Sequence, residues 1–207
     1  MKRLMLLSVL SLFSVNALAE NNANAFSGFY LGGEISSAKQ TFSVPYSELR
    51  VSNLPGDFEA NGSRGARLGV VTGYGFDYGA NFVGLAEAKL AVSTVKTKNE
   101  LGNVTKERVA TSLAYLQGYR IANVLLPYVK VSLDVSTFDV NNDAIQPKNG
   151  VEVANEGAFG FGFGGGVRYA VTPDFNLGVE YHKVTLKGKN EIKIKTNAVS
   201  LIGTYRF

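Results

Sequence analysis

Read backwards from its last residue, the chain alternates. Phe207, Tyr205, Gly203, Leu201 and Val199 form an apolar face, while Arg206, Thr204, Ser200 and Ala198 point the other way, with Ile202 the one apolar exception. The same period of two marks seven further segments. Near 28–40, Phe29, Leu31, Gly33 and Ile35 oppose Tyr30, Gly32, Glu34 and Ser36. Near 64–76, Leu68, Val70, Thr72, Tyr74 and Phe76 oppose Arg67, Gly69, Gly73 and Gly75. After an expected tight turn at 77–80, Phe82, Ala86, Ala88, Leu90 and Val92 oppose Glu87, Lys89 and Ser93. The segment near 108–121 is the least regular, because placing Leu113, Tyr115, Tyr119 and Ile121 on the apolar side carries Gln117 with them. Segment 128–138 sets Val129, Val131, Leu133 and Val135 against Lys130, Ser132, Asp134 and Ser136. Segment 158–171 sets Phe159, Phe161, Phe163, Val167 and Tyr169 against Gly160, Gly162, Gly164, Gly166 and Arg168. Segment 175–186 sets Phe175, Leu177, Val179 and Tyr181 against Asn176, Gly178, Glu180 and His182.

A soluble protein buries such oily faces under a second layer, and this chain offers only more strands. Connections near 77–80, 123–126 and 172–174 are short, whereas those near 43–63 and 141–157 are long, so long and short ends alternate. An even set of antiparallel strands that closes on itself leaves no edge and satisfies every backbone group in lipid. The pattern predicts an all-β, eight-stranded antiparallel up-and-down transmembrane β-barrel. Its short turns and both ends face one side of the membrane, and its long loops face the other.

Composition narrows the choice further. The 207 residues are 45% hydrophobic with 23 Gly, 10 Tyr and 13 Phe, too apolar and aromatic for a disordered chain. No run of ~18 apolar residues follows the N-terminus, which argues against a helical membrane protein. The lack of Cys removes disulfides and thiolate chemistry. Lys2 and Arg3, an apolar stretch over 4–15 and Ala17-Leu18-Ala19 predict an export leader over 1–19, followed by a periplasmic spacer over 20–27 and the barrel over 28–207. Loss of that leader lowers the formal charge from +4 to +2, and no basic run points to nucleic acid.

The runs FYLGGE, GYGFDYGANF, PYVKVSLDV, GFGGGVRYAVTPDFNLGVEYHKV and the terminal NAVSLIGTYRF, in this order, resemble the eight-stranded OmpA-like and OmpX-like outer-membrane barrels, the outer membrane protein β-barrel or "porin family" domain. The resemblance covers essentially the whole chain after the leader. It implies residence in the outer membrane of a Gram-negative bacterium, with lipopolysaccharide and other envelope lipids as surroundings. It also implies that Tyr205 and Phe207 act as a terminal signal read by the barrel-assembly machinery. A peptidoglycan-binding domain, present in two-domain members, is not expected.

Three functional classes follow. The first is a structural and surface-interaction protein, adhesive or envelope-ordering, acting through the long loops, whose ligand nothing in the sequence names. The second is a narrow porin-like channel. Against it stands the inward set Glu34, Arg67, Glu87, Lys89, Lys130, Asp134, Arg168, Glu180 and Arg206, whose opposite charges are expected to pair and plug the lumen. Arg168 and Glu180 lie on neighbouring strands, with Arg206 and Glu34 as alternative partners. The third is a lipid A-modifying enzyme, yet the one histidine, His182, has no serine beside it in sequence and reads as structural. Gly164-Gly165-Gly166 lacks the Lys-Ser/Thr and the helix of a phosphate loop. No catalytic, metal-ligating or cofactor-binding set is expected, and the protein reads as a monomer.

One further site is expected outside the barrel. Ten residues from Phe207, at ~3.3 Å each and a tilt of ~40°, rise roughly 25 Å and reach Asn197, the top of the apolar band. Lys183, Lys187, Lys193 and Lys195 lie beyond it. A turn centred on Lys189 would set Lys183 opposite Lys195 and Tyr181 opposite Asn197. These lysines are expected to hold a lipopolysaccharide phosphate, because like charges opposed across strands are unfavourable unless an anion lies between them.

Overall fold

The computed structural model describes residues 25–48, 56–99, 102–140, 156–188 and 192–207; the expected leader lies outside them. Its strands are β1 (Gly28–Pro45), β2 (Asp57–Asn61), β3 (Gly65–Gly79), β4 (Phe82–Ser93), β5 (Lys96–Asn99), β6 (Gly102–Tyr119), β7 (Leu125–Val140), β8 (Glu156–Ala170), β9 (Phe175–Lys187) and β10 (Lys193–Arg206). All pairings are antiparallel; the long strands β1, β3, β4, β6, β7, β8, β9 and β10 pair in that order and β10 pairs with β1, which closes a barrel of eight staves, while the short β2 and β5 pair with β1 and β6. Closure removes the free edges that lipid cannot tolerate.

The alternation holds on every stave. Leu31, Ile35, Leu68, Val70, Leu90, Val92, Leu113, Val129, Leu133, Phe161, Val179 and Leu201 are exposed on the outside, and their chain neighbours face in. Gln117 does lie on the outward face of β6, where its Oε1 accepts a 2.7 Å hydrogen bond from the Tyr115 hydroxyl. Near the short turns the outside is aromatic: Phe82 meets Tyr119 edge-on at 5.3 Å, Phe76 stacks on Tyr78 at 6.4 Å, and Phe207 packs on Tyr205 at 5.3 Å and Phe29 at 5.9 Å. Such a girdle sits where the apolar band meets water.

The structure corrects several details. The first tight turn centres on Ala80 and Asn81, both at positive φ (48° and 69°), rather than on 77–80; φ > 0 at both central residues is the mark of a type I′ hairpin turn. The expected loop over 43–63 is largely ordered: β1 runs to Pro45, a single 3-10 turn covers Tyr46–Glu48, and β2 returns alongside β1. The expected loop over 141–157 lies mostly outside the described residues. In the last hairpin Lys183 faces Asn197, Tyr181 faces Val199 and Lys187 faces Lys193, a register two residues from the expected one.

One-residue register shifts fall at a common level on one side of the barrel. β1 pairs Thr41 with Asn61 but Ala38 with Gly65, and the β6–β7 ladder slips between Glu107 and Val109. A bulge flips which neighbours face in. Above that level β2 and β5 take the places of β3 and β4, joined by a bridge between Gly62 and Thr97, so the ring continues beyond the lipid band.

Candidate functional site

The inward faces build a filled lumen in layers. At the short-turn end Phe26 is buried with Ala25, Val83, Leu85, Leu116, Leu126 and Ala170, so residues expected to be spacer form a floor instead. Asn176 Nδ2 holds this segment by a 3.0 Å bond to the Ala25 carbonyl. Glycine makes the close approach feasible: a Cβ on Gly75 would strike the Phe26 carbonyl.

Above the floor lies the ionic layer. Arg168 is 3% exposed, with its guanidinium between the rings of Tyr30 (5.2 Å) and Tyr128 (5.6 Å) and one nitrogen on Glu87. The two tyrosine hydroxyls donate to Glu87 (3.0 Å) and Glu180 (2.9 Å). Tyr30 and Tyr128 lie over Gly73 and Gly166, where no side chain competes for the space. Lys130 Nζ is 2.7 Å from Glu180, and Lys89 Nζ sits 2.8 Å from Glu34 and 2.9 Å from Glu180. Ser200 completes Glu34 with a 2.8 Å bond. Glu87, Lys89, Lys130, Arg168 and Glu180 thus each have a partner of opposite sign, which a low-dielectric interior demands.

The expected lumen residues thus come together, with altered pairing. Arg168 joins Glu87 and Glu180 joins the two lysines, rather than each other. Arg206 leaves the network for Asp174 at the rim, 2.9 Å away and half exposed. Arg67 binds Glu107 through two 2.8 Å bonds, and Gln40 donates to the same carboxylate at 3.0 Å. Glu107 was not expected inside. Strict alternation from Leu113 puts it outside, and the bulge beside Arg108 turns it in.

The structure also supplies the serine that the sequence around His182 lacks. Ser132 Oγ, from β7, lies 2.8 Å from His182 Nε2 and donates to Asp134 Oδ2 at 2.6 Å. All three are buried and close over Gly162. The arrangement differs from an acyl-transfer triad, in which the hydroxyl proton points at the imidazole and the carboxylate holds the other ring nitrogen. Here the hydroxyl proton is directed to Asp134, so Nε2 carries the hydrogen it donates to Ser132. The cluster is a clamp that ties β7 to β9 over the glycine face of β8. A polar cavity of ≈ 40 Å³ adjoins it, lined among others by Glu34, Lys89, Asp134 and His182, with room for more than one water molecule.

Towards the long-loop end the pattern inverts. Val184 and Leu186 of β9, and Ile192 and Ile194 in the last stave, point inward with Phe42, Val44, Ala60, Phe138 and Ala158, and Tyr46 and Phe58 pack on them. The alternating Lys183, Thr185, Lys187, Lys193 and Lys195 face out. This end is built like a soluble barrel, oil inside and charge outside, and caps the ionic layer with an apolar core. Among the described residues no group of His, Asp and Glu is arranged to hold a metal ion.

No curated protein matches the chain. Among solved structures it is similar to Neisserial surface protein A, at 17% identity over 87% of this chain and 98% of that one with a TM-score of 0.56. It is also similar to the outer membrane protein OprG of Pseudomonas aeruginosa, at 19% identity over 87% and 96% with a TM-score of 0.51. At these identities the likeness speaks for the fold. The profile of the outer membrane protein beta-barrel domain matches residues 5–207. With its closed antiparallel ring, aromatic girdle and apolar outer band, the chain belongs to the outer membrane protein beta-barrel domain family.

Proposed function

We propose that the protein is a non-conducting barrel of the Gram-negative outer membrane that serves the envelope as a structural and surface-interaction protein. The observation that carries this reading is the layered filling of the lumen, interrupted by one small cavity: the Phe26 floor, the Glu87–Lys89–Glu180 layer, the Arg67–Glu107–Gln40 layer and the Phe42 core. Small barrels have interiors that side chains can fill, and a filled interior makes a rigid post for what it displays outside. In this reading export by the leader over 1–19 delivers the chain, Tyr205 and Phe207 present its terminal signal to the assembly machinery, and it works as a monomer. No catalytic group is assigned, because the one buried Ser–His–Asp cluster has its hydroxyl turned to the carboxylate.

Cells displaying the full chain, compared with cells displaying a variant whose segments 49–55 and 141–155 are replaced by short Gly-Ser connections, test the surface role. Both barrels are expected to fractionate with outer membranes and to shift on gels upon boiling. Only the full chain is expected to raise adherence of cells to immobilised extracellular-matrix protein above an empty-vector control. Equal adherence of both would contradict a role for the loops.

A further inference from the structure

The outward faces of β8, β9, β10 and β1 meet in a grid. Phe163, Lys183, Asn197 and Lys39 are successive cross-strand partners, as are Phe161, Thr185, Lys195 and Thr41, and above them Phe159, Lys187, Lys193 and Ser43. All are exposed except Thr41, half-buried, and Ser43, buried. The sector therefore carries a ladder of phenylalanines beside five lysines, with Lys187 and Lys193 directly opposed. Opposed Cβ atoms on a sheet are ≈ 4.5–5.5 Å apart, so these ammonium groups repel unless an anion joins them.

The described residues do not supply that anion. Among the described residues none of the five lysines forms an ion pair; Glu59 of β2, opposite Ser43 at the corner of the grid, accepts a 3.4 Å bond from that serine. Elsewhere on the outside the chain does compensate its own charge: Arg108 of β6 meets Asp139 of β7. The Tyr181 hydroxyl donates to Asn197 Oδ1 at 3.1 Å, which turns the Asn197 amide nitrogen outward as one more donor among the lysines.

Height selects the ligand. Lys183 is eight residues above Phe175 of the lower girdle, a rise of ~20 Å, and Lys187 stands at ~30 Å, so the lysines straddle the upper limit of a band about 25 Å tall. Of the phenylalanines of β8, Phe163 shares the row of Lys183 inside the band, whereas Phe161 and Phe159 stand at its upper limit beside the lysines. We infer that this sector binds one lipopolysaccharide molecule of the outer leaflet, its sugar phosphates on Lys183, Lys187, Lys193 and Lys195 with Lys39 at the side, its sugar rings against Phe159 and Phe161, and its acyl chains descending past Phe163. The inference goes beyond the surface role and rests only on the barrel's place in an outer membrane. Long lysine stems lie along apolar surface and deliver the charge to the phosphate level.

The test compares the full chain with the triple variant Lys183→Gln, Lys187→Gln and Lys195→Gln in phosphatidylcholine vesicles, in the same vesicles with lipopolysaccharide, in vesicles with phosphatidylglycerol, and in neutral detergent with pyrophosphate. The reading is the temperature at which the gel mobility changes from folded to unfolded. Lipopolysaccharide is expected to raise it by about 5 °C for the native chain, and the variant is expected to lose most of that rise. In phosphatidylcholine alone the variant is expected to match the native chain or slightly exceed it, since a repulsion has been removed. A variant that keeps the full rise would overturn the site. An equal rise with phosphatidylglycerol or pyrophosphate would overturn the assignment to lipopolysaccharide.

Discussion

Glu180→Gln is expected to destabilise the barrel by about 3–5 kcal/mol, the usual penalty for stranding buried charge. Glu180 is 1% exposed and receives Lys130, Lys89 and the Tyr128 hydroxyl at 2.7, 2.9 and 2.9 Å. Lys89 keeps Glu34 when the charge is removed, but Lys130, 2% exposed, has no other carboxylate within ion-pair distance among the described residues. The amide returns one acceptor and no charge, so the loss is dominated by Lys130. Arg206→Ala is the internal comparison, because its partner Asp174 stands half in water; rim pairs of this kind contribute ~1 kcal/mol or less. Urea unfolding in lipid vesicles separates the two. A large loss for Glu180→Gln with a small one for Arg206→Ala supports a closed ionic layer, and small losses in both would indicate a wet, open interior.

Gly162→Ala is expected to stop productive assembly or to leave a barrel that unfolds far below the native one. A Cβ there would lie 2.6 Å from Asp134 Oδ2 and nearer still to Ser132 Oγ and His182 Nε2. Moving them aside breaks the bonds by which Ser132 holds both Asp134 and His182. Overpacking of a tight interior costs about 1–3 kcal/mol before any hydrogen bond is lost, and here the clamp itself must open. Gly203→Ala is the contrasting substitution. It faces outward on β10 with nothing nearer than 3.6 Å, at Leu177 and Phe175, and is expected to assemble normally. Gel mobility of unboiled protein from outer membranes checks both. Equal yields of folded protein would mean that the glycine face of β8 is spacing rather than a seat for the clamp.

Much of this design is legible in the sequence because the side-chain period of a strand is two. Alternation alone puts Glu87, Lys89, Lys130, Asp134, Arg168 and Glu180 inside, and even the awkward outward position of Gln117 follows from its neighbours. Partners are not legible, since the lumen joins residues as distant as Lys89 and Glu180, 91 positions apart. Glu107 escapes for another reason: a bulge changes the phase of β6, and alternation carries no mark of it. The register of the last hairpin fails by two residues, a slip that leaves every side chain on its own face and so is invisible to the pattern. Serine beside histidine arises only once β7 and β9 take their places on either side of β8, whose Gly162 lets the two side chains meet.

The apolar cap shows how one stave reads both ways. Below Tyr181, β9 is oily outside and polar inside; from Lys183 upward it is polar outside, with Val184 and Leu186 inside. The change marks where the surroundings turn from lipid to headgroup and water.

The central claim, a barrel closed by its own side chains, is tested most directly by planar-bilayer recording of the purified full-length protein, with oligomers removed beforehand. The account predicts a silent membrane at protein concentrations where insertion is verified by protease protection. Stable, reproducible single-channel steps from the monomer would contradict it.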